Sequence, residues 1–377
     1  MNCKKLLVTS MILTSCILCA PHAFAAPIKV QVSKSYVDIS RLIEYNNYED
    51  ADQRLKEILS KNPNDLDAKA LQLISQAKQW KLAPAQSELD KLLKKYPNKP
   101  ELHYAQGLVY LMRETSSDVE YIKNINNLSN AAIKEFVTAV GLDSTYYQAY
   151  NAMGVATLKL GNKKDAQDLF KVALKNNPNF APAYDNLGNV AMLDGDLDQA
   201  EKYYLQAIKC NSHNPTSMYH MGQVEARRGD YTKALTWLNH SLHINPNSSP
   251  AWNLQGELYL KQGNQPAAIN SFKKAIYVKP ENSRPYINLA GVYERRADHE
   301  FAMEELKTAI ILNPNYKEGI YRVANMSLET KKYQQALEYY SRLLGDATYN
   351  NNAIIGLANT YYEMSKDTAD SKDFTTN

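Results

Sequence analysis

Cysteine is nearly absent from this chain. There are four in 377 residues. Cys3, Cys16 and Cys19 precede Ala26, and only Cys210 lies beyond it. A lone thiol forms no internal bridge, so packing must hold the fold. Two kinds of ring are scarce as well, with 7 Phe and 3 Trp against 27 Tyr. Tyrosine suits half-buried helix faces and contact surfaces equally. Charge of either sign is not in excess: 43 Lys+Arg against 40 Asp+Glu leaves +3. Taking away Lys4 and Lys5 with a leader leaves 41 against 40, or +1. Such a balance gives no bulk attraction to nucleic acid or anionic membrane. After Ala20 no apolar run is long enough to cross a bilayer, so no transmembrane segment is expected in the mature chain. There is no Gly-x-Gly pair, phosphate loop, His-Glu-x-x-His or Gly-x-Ser-x-Gly. The usual marks of nucleotide, metalloprotease and serine-hydrolase chemistry are therefore missing. We expect no cofactor, no metal and no catalytic residue.

The segment from Met1 to Ala25 reads as an export signal. Lys4 and Lys5 form a basic start, Leu6 to Ala20 an apolar run, and Ala23-Phe24-Ala25 a small-x-small cleavage site. Cleavage after Ala25 predicts a periplasmic or secreted protein. A second reading stays open. Leu13-Thr14-Ser15-Cys16 resembles a bacterial lipobox, which would make Cys16 a lipid anchor, although the run stays apolar through Ile17-Leu18-Cys19-Ala20.

What fills the rest is a repeat. Gly154, Gly188, Gly222 and Gly256 follow one another at a constant step of 34, and Ala290, Ala324 and Ala358 continue the phase. A fixed period of that length marks a stacked array rather than one globular core. Within the unit starting at Tyr147, Tyr150, Met153, Gly154 and Thr157 share one face of a first helix. Gly161-Asn162 makes a turn. Ala166, Phe170 and Ala173 share the inner face of a second helix, and Asn177-Pro178-Asn179 ends the unit.

This pattern resembles the tetratricopeptide repeat. The fullest match runs from Ser249 to Asn282, with Trp252, Gly256, Tyr259, Gly263, Ala268, Phe272, Ala275 and Pro280 at the family's eight characteristic places. The neighbouring unit has Tyr184, Leu187, Gly188, Gly195, Ala200, Tyr204 and Ala207. The register runs backwards through Ala85 with Leu89 and Ala51 with Leu55. Gly107 precedes Gly154 by 47 rather than 34, which places an insertion of 13 between the two helices of that unit, within about 113–130.

The expected order is a signal peptide over 1–25, a linker over 26–31 and two divergent units over 32–99. Then follow the unit with the insertion over 100–146, six units over 147–350, a capping helix over 351–365 and a disordered tail over 366–377. The insertion is expected to be an exposed loop, with a short helix around 119–125. By resemblance the fold is all-α, an α-solenoid of antiparallel helix-turn-helix units wound into a right-handed superhelix. Its first helices line a concave groove.

Near misses read more simply as structure. Asp194-Gly195-Asp196-Leu197-Asp198 begins like a calcium loop, but Gln199 and Leu205 stand where glycine and glutamate belong. Ser271-Phe272-Lys273-Lys274 has serine-lysine spacing at a core position. His240 and His243 lie three apart on a helix and would need His213 or His220 to hold zinc. Arg227-Arg228 and Arg295-Arg296 sit at first-helix ends, where they complement helix dipoles.

By the same resemblance, the second, fifth, ninth, twelfth and thirteenth positions of each unit face the groove. They include Tyr104 and Leu108, Gln148 and Asn151, Asp185 and Asn189, then Tyr219, Gln223 and Arg227, and finally Asn253, Glu257 and Lys261. Asp185 and Glu257 occupy places where a clamp for a terminal carboxylate would want cations or amides. The lining suits an uncharged, extended peptide instead. These observations imply a non-enzymatic scaffold or adaptor for a protein or peptide partner, in envelope assembly or secretion. Two alternatives remain: a lipid-anchored, pilotin-like assembly factor, and the accessory region of an enzyme whose catalytic part lies outside this chain.

Overall fold

The repeat period becomes a column of equivalent side chains. Ala132, Ala166, Ala200, Ala234, Ala268, Ala302 and Ala336 are all wholly buried. So are Phe136, Phe170, Tyr204, Leu238, Phe272 and Leu306, one helical turn on, with Tyr340 at 2% exposure. The structure is a computed structural model that describes residues 34–113 and 125–373. Among the described residues there are helices and no strands. Two units separate at Leu89 and Asp90.

The first unit holds α1 (Lys34–Glu44), α2 (Tyr48–Lys61) and α3 (Leu66–Lys78), and α4 (Leu82–Lys95) begins in it. Its core is Ile39, Ile43, Ala51, Leu55, Leu73, Ala77, Ala85 and Leu89, all buried. Asp52 ties α2 to α3 by accepting from Ser75 at 2.6 Å and from Gln79 at 2.8 Å.

The second unit is a run of helix pairs. First helices alternate with second helices in the order α5 (Pro100–Arg113), α6 (Ile125–Leu142), α7 (Tyr147–Lys159), α8 (Lys163–Asn176), α9 (Ala181–Asp194) and α10 (Leu197–Cys210). The order continues with α11 (Pro215–Arg228), α12 (Tyr231–Ile244), α13 (Ser249–Lys261), α14 (Gln265–Val278), α15 (Ser283–Arg295), α16 (His299–Leu312), α17 (Lys317–Glu329) and α18 (Tyr333–Ser341). A last helix, α19 (Asn350–Asp373), closes the order. Each first helix packs most closely on the second helix that follows it, and then on the one before it.

The small residue at the eighth place of a unit has a visible partner. A Cβ added at Gly154 would stand 2.5 Å from Cε1 of Phe170, and one at Gly256 would stand 2.5 Å from Cε1 of Phe272. The crowding group is the ring four residues after the alanine column, not the alanine itself. Where the chain has Ala324 at this place, the ring of Tyr340 packs with it and also lies against Gly356 of α19.

The turn between the helices keeps one conformation whatever residue fills it. Gly195 (φ 78°) and Gly229 (φ 85°) are left-handed, and so are Ala297 (φ 58°) and Lys331 (φ 59°) at the same phase. Asn46 (φ 60°) and Trp80 (φ 62°), one repeat period apart, do the same in the first unit. The periodicity therefore reaches into residues whose first helices match the family poorly. A side chain in this region costs about 1–2 kcal/mol.

Two boundaries differ from expectation. The helix after the insertion starts at Ile125, so only 114–124 of the expected loop lie outside the described residues, and 125–130 are helical. The helix expected over 351–365 runs to Asp373, so 366–373 form helix rather than a disordered tail. Asp367 anchors that extension by accepting from Tyr333 at 2.7 Å and from Lys331 at 3.1 Å. The signal segment lies outside the described residues.

Candidate functional site: the first-helix face

Within residues 90–377 the first helices approach one another directly: α5 to α7, α7 to α9, α11 to α13 and α13 to α15. No pair of second helices approaches comparably among the described residues. A stack curves towards the side on which its helices lie closer, so the first-helix face is the inner one.

That face is held together by polar bonds between successive units. Asn186 Nδ2 donates to Asn151 Oδ1 at 2.9 Å. Asp185 accepts from Ser217 Oγ at 2.6 Å and from Asn214 Nδ2 at 2.9 Å. Asn214 also caps α11, so the carboxylate fixes the start of the next first helix. Arg227 reaches back to the Met192 carbonyl at 2.9 Å. Asn288 donates to Asn253 at 2.9 Å and to Glu257 at 3.0 Å. Arg322 grips Glu294 through Nε at 2.9 Å and Nη2 at 2.6 Å.

The expected groove residues divide by exposure. Tyr104, Leu108, Asp185 and Asn253 are buried, which corrects their assignment to the lining. Tyr104 packs edge-on to Tyr146 at 5.1 Å between ring centres. Asn253 donates to Glu257 at 2.8 Å. Asp185 and Asn253 are bonded to the next unit, through Ser217 and Asn214 and through Asn288. Gln148, Asn151, Asn189, Tyr219, Gln223 and Glu257 are half-buried, and Arg227 and Lys261 are exposed. Asn189 accepts from Tyr204 Oη at 2.8 Å, and Asn325 accepts from Tyr340 at 2.6 Å in the same relation. Gln223 donates to the Tyr219 hydroxyl at 3.0 Å. Glu257 also pairs with Arg284 at 3.5 Å.

Sequence reasoning missed the sixth position of the unit. Asn186, Asn288 and Arg322 sit there and make the bonds between units. The available signal was polarity at a phase that elsewhere holds Ala152 and Leu254. It also stopped too early along the chain. The fifth and ninth positions of the last units supply Tyr321, Asn325, Ile355 and Asn359, which line an open cleft of about 200 Å³.

Burial shifts two groups on this face. It pushes the Asp185 carboxyl up to about 6, against the two donors that favour its charge. It lowers His220 to about 4. The His220 ring lies 5.0 Å from Tyr204 and 5.5 Å from Tyr219.

The near misses resolve as structure. Asp196 caps α10 by accepting from the Gln199 amide at 3.0 Å, and Asp194 pairs with Lys163. Ser271 is buried and donates to Gln255 at 2.8 Å, while Lys274 lies over the Trp252 ring at 4.2 Å. His213, His240 and His243 line one shallow pocket with Met218, yet no group of three or more His, Cys, Asp or Glu among the described residues is placed to hold a metal. Arg228 pairs with Asp198 at 2.6 Å and with Glu201 at 2.7 Å. Burial pushes the Cys210 thiol up, away from a reactive thiolate. No described helix is long and apolar enough to cross a membrane.

Comparison with known proteins agrees with this architecture. Tetratricopeptide repeat models match residues 179–247 and 237–270. No curated protein matches by sequence. Among solved structures, a chain of the APC/C hetero-tetramer Cut9-Hcn1 aligns with a TM-score of 0.66 at 17% identity, over 86% of this chain and 59% of that one. This chain thus spans about three fifths of that relative. Pseudomonas aeruginosa PilF aligns at 17% identity over 59% of this chain and 99% of its own, with a TM-score of 0.49. YrrB, described as a TPR protein with an unusual peptide-binding site, aligns at 21% identity over 52% and 97%, with a TM-score of 0.38. Low identity makes the first likeness one of fold alone, and the fold is the one built above: the chain carries tetratricopeptide repeats.

Proposed function

We propose that this protein is an exported, non-enzymatic scaffold or adaptor that holds an extended protein segment against the inner face of its first helices. The observation that carries this is the run of half-buried amides and tyrosines along that face, from Gln148 through Asn189, Tyr219 and Gln223 to Asn325, with the exposed Asn359 beyond them. Amides pair with an extended backbone in both directions, and tyrosines pack against its side chains. Acids and bases alternate there, and Glu257 and Glu294 are already neutralised by Arg284 and Arg322. The ligand is therefore mostly uncharged and its binding depends weakly on salt. Export rests on Lys4, Lys5, the apolar run and Ala23-Phe24-Ala25.

The test is a pull-down from an envelope fraction with the natural chain and with Tyr219→Ala combined with Gln223→Ala. Both side chains are half-buried and hydrogen-bond to each other, so their joint removal strands no polar partner, and a helical melt checks that the variant keeps its fold. Loss of the captured partner with an unchanged helical melt supports the inner face. Equal capture by both proteins refutes it.

A further inference from the structure

Towards its last helices the inner face deepens into the open cleft between α17, α18 and α19, of about 200 Å³. Clefts that hold whole small molecules run to about 300–1,000 Å³, so this one has room for a single side chain. Its apolar lining is Tyr321, Leu328 and Ile355, and Asn325 and Asn359 bring amides to it. Glu329 brings a carboxylate, and among the described residues no lysine or arginine lines the cleft.

That carboxylate is unlike others on this face. Asp185 is bonded by Ser217, Glu257 by Asn288 and Glu294 by Arg322, each from the next unit. Among the described residues Glu329 has no hydrogen bond, and its ionic neighbour, Nε2 of His299, stands 3.8 Å away, beyond hydrogen-bond reach. Its field is nevertheless felt inside the cleft. Burial, then Tyr321, then Glu329 push the Tyr340 hydroxyl up to about 12. That hydroxyl donates to Asn325 at 2.6 Å, which fixes the amide at the cleft floor.

A small cleft with one unneutralised carboxylate, amide oxygens, a tyrosine ring and aliphatic walls matches a cation on an apolar stem. We propose that it holds one arginine side chain of the extended segment bound along the inner face. The guanidinium pairs with Glu329 and donates to the Asn359 amide oxygen, while its stem packs on Leu328 and Ile355. Arginine suits the site better than lysine because its planar, weakly hydrated head also stacks on the Tyr321 ring. The inference rests on the inner-face reading and adds one fixed cation to a segment that is otherwise uncharged.

The probe is the heptapeptide Ala-Gln-Ala-Arg-Ala-Gln-Ala, blocked at both ends. It is titrated to millimolar concentration into the isotope-labelled protein and followed by amide chemical shifts. A second peptide carries citrulline, which keeps the shape of arginine without its charge. Saturating shifts centred on residues 317–363 are expected, with the arginine peptide binding about tenfold more tightly than the citrulline one. Glu329→Gln should remove that preference and leave the citrulline affinity unchanged. Glu329 is exposed, and a helical melt checks that the variant keeps its fold. Equal affinity for the two peptides, a preference that survives Glu329→Gln, or shifts centred elsewhere overturns the proposal. The citrulline comparison leaves the protein untouched, so it decides even if the variant fails to fold. Partner capture that depends on Tyr219 and Gln223, alongside equal peptide affinities, overturns the arginine cleft while the inner-face reading stands.

Discussion

Replacing Gly256 by alanine sets two effects against each other. Alanine in a helix interior is favoured over glycine by about 1 kcal/mol. The new Cβ, however, would stand 2.5 Å from Cε1 and 2.7 Å from Cδ1 of Phe272. Carbon atoms in comfortable contact lie about 3.5–4.0 Å apart, so the ring or the helix must give by about 1 Å. Phe272 is wholly buried, with Ala268 and Leu289 in the same core, so its ring has nowhere to turn. Overpacking of this kind costs about 1–3 kcal/mol. We expect the cost to win, with a net loss of up to about 2 kcal/mol. Gly222→Ala is the control. Its Cβ would meet Cγ of Leu238 at 3.0 Å and the Ala234 carbonyl at 3.3 Å, and a leucine yields more readily than a ring. That change should be near neutral. Phe272→Leu should relieve Gly256→Ala, as the chain itself pairs Ala290 with Leu306. Urea unfolding gives the magnitudes, and hydrogen exchange over 249–282 shows whether the loss is local, as expected of units that support only their neighbours. A Gly256→Ala protein more stable than the natural one would refute the packing argument.

Further outcomes follow from the same structure. Gly222→Leu adds bulk that Leu238 cannot accommodate and should cost about 1–3 kcal/mol, read as a lowered thermal melt. Ala297→Gly relieves a left-handed residue and should stabilise by about 1 kcal/mol in urea unfolding; a loss would show that the turn is not strained. Tyr204→Phe removes the donor to Asn189 and should cost about 1 kcal/mol; Phe170→Tyr brings no such acceptor, since Val155 holds the matching place. Acid acts on two groups in opposite senses. The folded Asp185 holds its proton up to about 6, so its contribution is present at low pH and is lost as pH rises through 6. His220 is held neutral down to about 4, so its contribution is present above its ordinary range and is lost as pH falls towards 4. Melts between pH 4 and 7 should therefore favour acid more in His220→Phe than in the natural chain, and favour acid less in Asp185→Asn. Identical pH profiles for all three proteins would contradict both assignments.

The repeat phase made the fold legible because packing repeats with it. The regularly spaced glycines, read with the alanines of the second helices, are enough to place helix pairs and turns. The phase reached even the first unit, where Asn46 and Trp80 share the turn conformation of Gly195, although a tryptophan does not signal it. The site was legible only in part. The phase gave the face of each helix, but it did not say which side chains on that face are spent on the neighbouring unit. Asp185 and Asn253 lie on the inner side and are buried because Ser217, Asn214 and Asn288 reach them. Those contacts depend on the spacing between first helices, which a linear sequence does not display. The helical extension of α19 was missed for a similar reason: Lys366 to Asp373 is polar by composition, and the bonds of Asp367 to Lys331 and Tyr333 that tie it to the preceding turn and helix are long-range.

Site-specific photocrosslinking tests the central claim most directly. A photoreactive phenylalanine analogue is placed at Gln223 on the inner face, or at Tyr277, which is 90% exposed on a second helix. Each protein is mixed with an envelope fraction and irradiated. The account predicts a discrete adduct with a partner protein from position 223 and none from position 277. An adduct from 277 alone would place the partner on the outer side and contradict it.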